Sequence, residues 1–171
     1  TITLDKTDGK PFDMGAHKWT PLGNENNPFE GVFQGVVGDT QHVANIIVNE
    51  TTIPLVGMFG HTRGATIQNF VIDSTLIRSN SYVSAVVGEA TEGTVVKDII
   101  IQRGSIFGEY VIGGFISHMV NSSLINCYLR SPNKSVAAGS GTIGAFGNAI
   151  YAGGFIGHAQ GVNTLRDYGM Q

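Results

Sequence analysis

Gly153-Gly154-Phe155-Ile156-Gly157-His158 nearly repeats Gly113-Gly114-Phe115-Ile116-Ser117-His118, and a blurred copy, Val56-Gly57-Met58-Phe59-Gly60-His61, lies nearer the N-terminus. Glycines in such an echo can cradle a phosphate, accompany a metal site or mark the turn of a repeated coil. Residues 56–72, 84–101, 113–129 and 153–169 share one pattern: a small and apolar opening, a turn of Gly, Asn, Ser or Thr, then an apolar residue, a variable one, and Asn or Asp before another apolar stretch. A phosphate loop needs a strand, a Gly-rich turn and a helix N-terminus. No unit leads into a helical pattern, so the echo is read as architecture.

Aligning the units on the Asn/Asp position gives a column of Asn69, Asp98, Asn126 and Asp167, to which the looser copy at residues 33–48 adds Asn45. The successive offsets are 24, 29, 28 and 41 residues, the last lengthened by the segment from Ser131 to Tyr151. That segment is an extended loop or, at residues 141–147, a degenerate rung. A period in the twenties made of short apolar strands and Gly turns predicts an all-β fold, a parallel β-helix (β-solenoid) of about five coils. It forms one structural domain, with residues 1–30 as N-terminal cap and lead-in and 31–171 as the repeat region.

In such a stack, equivalent residues lie about 4.8 Å apart along the axis and form columns. Phe70, Ile99, Cys127 and Tyr168 make one, and Phe59, Val87, Ile116 and Ile156 another, mostly pointing inward. Cys127 reads as a small core residue. Asn and Asp tolerate the left-handed backbone of coil corners, and stacked amides hydrogen-bond from rung to rung. The Asn/Asp column is therefore read as structural.

Composition narrows the function classes. The 171 residues suffice for one sizeable core, and 24 Gly with 42% hydrophobic and 13% charged residues suit a turn-dense β fold rather than disorder or a helical bundle. Ten Lys+Arg against thirteen Asp+Glu, with no basic cluster, argue against nucleic acid as a partner. No apolar run is long enough to insert in a membrane. One cysteine excludes an intrachain disulfide and a cysteine-rich zinc site. Sequons occur at Asn49, Asn121 and Asn133, as chance allows in an Asn- and Ser/Thr-rich chain. The start at Thr1 and a stop within a repeat suggest a processed or partial product.

The stretch from Trp19 to Gly35, WTPLGNENNPFEGVFQG, is followed by HVANIIV at His42 to Val48 and then by the glycine units. Together these resemble the GLUG-motif repeat proteins, over most of the chain from Trp19 onward. The resemblance implies a right-handed β-helical segment of a secreted or cell-surface protein, such as a bacterial adhesin or surface-anchored enzyme whose repeats are not catalytic. Where the family has Phe-Asp-Gly and then Asn-Gly-His, this chain has Phe33-Gln34-Gly35 and a longer turn to His42. The zinc peptidase found in part of that family is not carried over, because no His-Glu-x-x-His occurs here.

The candidate chemistry lies in one further column. His61, His118 and His158 follow the aligned Gly60, Ser117 and Gly157, and Glu89 holds the place between them. A row of His61, Glu89, His118 and His158 can bind a transition metal weakly or answer to pH. The simpler reading is a solvated polar row. Arg63 and Glu92 are expected to form a surface ion pair between neighbouring turns. Carbohydrate cleavage needs converging carboxylates, which the repeat does not gather from Asp39, Asp73, Glu89, Glu92, Asp98 and Glu109. Thr51, Thr62, Thr66, Thr91 and Thr94 do not align into the flat column of an ice-binding face. No cofactor is expected.

The functional expectation is a non-enzymatic extracellular scaffold, structural or adhesive, whose partner is a further copy, a larger parent chain, or a glycan or host surface. End-to-end assembly into filaments follows if the terminal rungs are open. The alternative is a carbohydrate-binding or carbohydrate-cleaving β-helix using a groove near residues 131–151, which acidic and aromatic side chains clustered beside that insertion would favour.

Overall fold

The computed structural model describes residues 1–4, 12–15, 17–36, 42–49, 52–130, 142–145 and 150–170. The turn at residues 37–41, the sequon at Asn133 and most of the groove at 131–151 lie outside these. Among the described residues the secondary structure is all β, in twenty short strands, and no helix is long and apolar enough to cross a membrane. All strand pairing is parallel and falls into four sheets.

The chain visits the sheets in a fixed order. Thr66–Asp73 belongs to the first sheet, Thr75–Ser79 to the second, Tyr82–Val83 to the third and Val87–Thr91 to the fourth, before Val95–Ile101 returns to the first. Each return lands in register on the previous pass. Val95 pairs with Thr66 and Ile101 with Ile72, then Ser123 with Val95 and Leu129 with Ile101. Thr164–Met170 pairs in turn with Ser123–Leu129. Because a shift of one residue would turn every inward side chain outward, this register is fixed by burial.

The core columns follow from that register. Phe59, Val87, Ile116 and Ile156 pair successively, as do Phe70, Ile99, Cys127 and Tyr168. All but Ile156 and Tyr168, on the last described pass, are buried; Tyr168 is 48% exposed. Phe33 packs edge-on to both Phe59 and Phe70, at ring centroid distances of 5.2 and 5.6 Å. Cys127 is a free, buried thiol, and burial pushes its pKa up to about 12.

The first sheet bends at its Asn/Asp position. Asn69, Asp98, Asn126 and Asp167 have φ of 62°, 55°, 51° and 51°, and pairing skips each of them. Short polar side chains tolerate this left-handed conformation better than other non-glycine residues. Asn126 Nδ2 also donates to Asp98 Oδ1 at 2.6 Å. Asn45 stands elsewhere. Ala44 pairs with Asp73, so Asn45 falls in register with Ser74 at the next corner, where both have positive φ. The extra residues after Gly35 shifted the alignment: Gln34 pairs with Gln68, but His42 pairs with Val71.

The glycine echo marks the junction of the third and fourth sheets. A Cβ on Gly113 or Gly153 would collide with the carbonyl of Ile116 or Ile156, so the chain turns there with its own backbone closely apposed. On Gly157 a Cβ would lie 2.8 Å from the carbonyl oxygens of Ile112 and Ser117. Ser117, in register with Gly157's position one pass earlier, instead donates its hydroxyl to the Val111 carbonyl at 2.8 Å.

The ends and the insertion also join the sheets. Ile2–Leu4 pairs with Val32–Gly35, while Lys18, Leu22 and Phe29 bridge to Ile47, Phe59 and Thr62. Trp19 Nε1 donates to the Met58 carbonyl at 2.8 Å. The described residues between Ile2 and Phe29 thus contribute an irregular rung of their own. Within the insertion, Thr142–Ala145 pairs with Ser105 to Gly108 in the second sheet, which makes it a short rung.

Candidate functional site

In the fourth sheet, the alternation of inward and outward residues places Thr62, Ala90 and Met119 in the interior, fully buried. The residue before each faces outward: His61, Glu89 and His118, which the register sets side by side, with His158 paired to His118. This row is not the solvated one expected from sequence. The side chains of His61 and His118 are each only 15% exposed, and that of Glu89 23%.

Glu89 reaches the passes on both sides of its own. Its Oε1 lies 2.8 Å from His118 Nδ1, and its Oε2 lies 3.7 Å from His61 Nε2. His61 Nε2 is also 3.1 Å from Thr91 Oγ1, whose single proton goes to the Thr62 carbonyl at 3.0 Å. His61 must therefore donate through Nε2, and His118 donates through Nδ1 to the carboxylate. The other two ring nitrogens, His61 Nδ1 and His118 Nε2, are buried without hydrogen-bond partners.

The same row stacks rather than chelates. The rings of His118 and His158 are 5.1 Å apart and 9° from parallel. Parallel imidazoles direct their lone pairs side by side rather than toward a common point. Among the described residues no group of three His, Cys, Asp or Glu side chains is arranged to hold a metal ion.

Tyrosines from the neighbouring third sheet extend the row. Tyr151 stacks on His158 at 4.5 Å and 13°. Tyr82 lies 5.7 Å from His118 and 5.4 Å from Tyr110. One continuous chain of ring contacts thus runs Tyr110, Tyr82, His118, His158, Tyr151. Burial, followed by the neighbouring Tyr110, Glu89 and Tyr151, raises the pKa of the Tyr82 phenol. Tyr110 and Tyr151 stay open to solvent, at 41% and 45% exposure. The sequence reading missed these tyrosines because it aligned from the glycines onward. Extending the alignment two or three residues upstream of Gly113 and Gly153 brings Tyr110 and Tyr151 into view.

Asp73, Asp98 and Glu30 are held by partners instead of converging, and Asp39 lies outside the described residues. Arg103 grips Asp73 with two bonds of 2.6 and 2.7 Å, and Asp98 accepts from Asn126. Arg63 pairs with Glu30 rather than with Glu92. Glu30 raises the Arg63 pKa mainly by hydrogen bonding, with Glu92 a minor contributor. The bridged rung at Phe29 and Thr62 brings Glu30 beside Arg63, a pass that the sequence alignment did not include.

No family model, curated protein or solved structure matches this chain significantly.

Proposed function

We propose that the chain is a stretch of right-handed parallel β-helix of about five coils, of the GLUG type that its sequence resembles. It serves as a non-enzymatic structural or adhesive scaffold outside the cell or at its surface. The observation that carries this reading is the repeated landing of each pass in register on the last, through all four sheets. A solenoid built this way gains its stability from neighbouring rungs, so that length and displayed surface grow together without a new core. The right hand follows the general preference of parallel crossover connections.

The partners are a further copy or a longer parent chain, joined end to end through rung edges. The engagement of Asp73, Glu30, Asp98 and Glu89 by Arg, Asn or His favours structural use of these carboxylates over catalysis. Light scattering across concentration, with negative-stain imaging of the same sample, tests assembly. Filaments or long oligomers are expected, and a monomer at high concentration would sink the end-to-end part. Release of sugar from a polysaccharide panel would sink the non-enzymatic part.

A further inference from the structure

We propose that the two outermost rungs of the fold are complementary, so that the strand Thr164–Met170 of one copy receives Ile2–Leu4 and Phe12–Asp13 of a second copy, parallel and in register. The inference rests on the end-to-end reading above and names the residues that meet and the direction in which they meet.

Three inward columns carry it. The first runs Ile2, Phe33, Ile67, Val96, Leu124, Leu165. Its inner members are at most 4% exposed, whereas Ile2 and Leu165, at its two ends, are 44% and 41% exposed. The second runs Phe12, Val43, Ile72, Ile101, Leu129, Met170, and Met170 is 84% exposed. The third runs Leu22, Phe59, Val87, Ile116, Ile156, and its two end members are only partly buried. Each column is thus apolar from end to end. A capping repeat places polar side chains over the last rung of a solenoid, and none of these end residues is polar.

The match between the ends selects a second copy as the occupant. An arriving edge must be parallel and must set apolar side chains over both Leu165 and Met170. The fold already contains that arrangement: Val32–Gly35 and His42–Ala44 lie in tandem along the single strand Thr66–Asp73. Ile2 and Phe12 extend the same two columns on one side, and Thr164–Met170 keeps the register of Thr66–Asp73 on the other. One end therefore offers the landing that the other end fits. On the outward side the junction sets Thr3 beside Arg166, which end the column of Gln34, Gln68, Lys97 and Ile125. No like charges are opposed there. Contact between two Thr164–Met170 strands would run antiparallel about a twofold axis and lose the register that every pass keeps. The head-to-tail contact is heterologous, so it adds copies without closing.

The test mixes two variants of the full chain, Thr3→Cys and Arg166→Cys, both at exposed positions, under mild oxidation. Register neighbours in a parallel pair lie about 4.8 Å apart, within reach of a disulfide. Covalent dimers on non-reducing gels should form in the mixture and in neither variant alone, with the wild-type chain controlling for Cys127. Dimers from Arg166→Cys alone would show tail-to-tail contact and overturn the inference while leaving end-to-end assembly standing. Assemblies seen by light scattering without any covalent dimer in the mixture would do the same. Leu165→Asp places an unpaired carboxylate in the junction and should raise the concentration needed for assembly about tenfold or more, with circular dichroism unchanged. Assembly of that folded variant at the wild-type concentration also overturns the inference. A wild-type chain that stays monomeric at high concentration would sink the end-to-end reading together with it.

Discussion

Glu89 Oε1 sits 2.8 Å from His118 Nδ1, one rung away on the same sheet, and the other oxygen of that carboxylate faces His61 on the rung before. A single side chain thus ties three successive passes, in surroundings that leave it only 23% exposed. Glu89→Ala should lower stability by about 1–3 kcal/mol, since it leaves the His118 N–H without an acceptor. Glu89→Gln keeps a carbonyl oxygen for that bond and should cost less than half as much. Urea denaturation followed by circular dichroism measures both, and equal losses would show that charge outweighs hydrogen bonding here.

Asn126 holds a left-handed corner, with φ of 51°, and donates to Asp98. Asn126→Ala removes the bond and keeps a β-carbon in the left-handed conformation without the short polar side chain that eases it, a conformation that costs roughly 1–2 kcal/mol for such residues. Asn126→Gly loses the same bond while relieving that cost. The glycine variant should therefore be the more stable of the two. The reverse order in thermal melts would assign the role of Asn126 to the ladder bond alone.

Gly113 and Gly157 separate two uses of glycine. At Gly113 an added methyl would run into the Ile116 carbonyl of the chain's own turn. Backbone cannot step aside there, so Gly113→Ala should be strongly destabilising, at about 3 kcal/mol or more. Gly157→Ser should also destabilise but less, because its Cβ would lie 2.8 Å from the Ile112 and Ser117 carbonyl oxygens rather than 1.9 Å from a carbonyl oxygen as at Gly113. Differential scanning calorimetry of the pair ranks them, and equal losses would count against the distinction.

The contrast between these residues and the ring ladder shows what a repeat reveals before folding. Phe59, Val87 and Ile116 could be aligned by eye because the same apolar requirement recurs at the same distance from the glycines. Asn45 was misplaced because a few extra residues after Gly35 change the count, and only pairing restores it. Glu30 was not seen as the partner of Arg63 because the irregular first rung has no glycine echo to align. The tyrosines vary in offset, with Tyr151 in register with Val111 rather than with Tyr110. Their meeting with the histidines depends on two sheets joining at a corner, which no single column encodes.

Cys127 supplies a pH dependence with a definite sign. Its thiol is raised from 9.0 to about 12, first of all by burial. The folded chain keeps the neutral thiol, whereas the unfolded chain releases the proton from about pH 9 upward. Stability from this group is thus fully present below pH 9 and falls as pH rises from there toward 12. Across that window the loss approaches about 4 kcal/mol. Cys127→Val, which cannot ionise, should flatten this alkaline limb of the stability profile even if repacking lowers stability at pH 7. A thiol-reactive dye should label the wild-type chain only when it is unfolded. Rapid labelling of the native chain at pH 8 would show that the column containing Phe70, Ile99 and Cys127 opens far more readily than its burial implies.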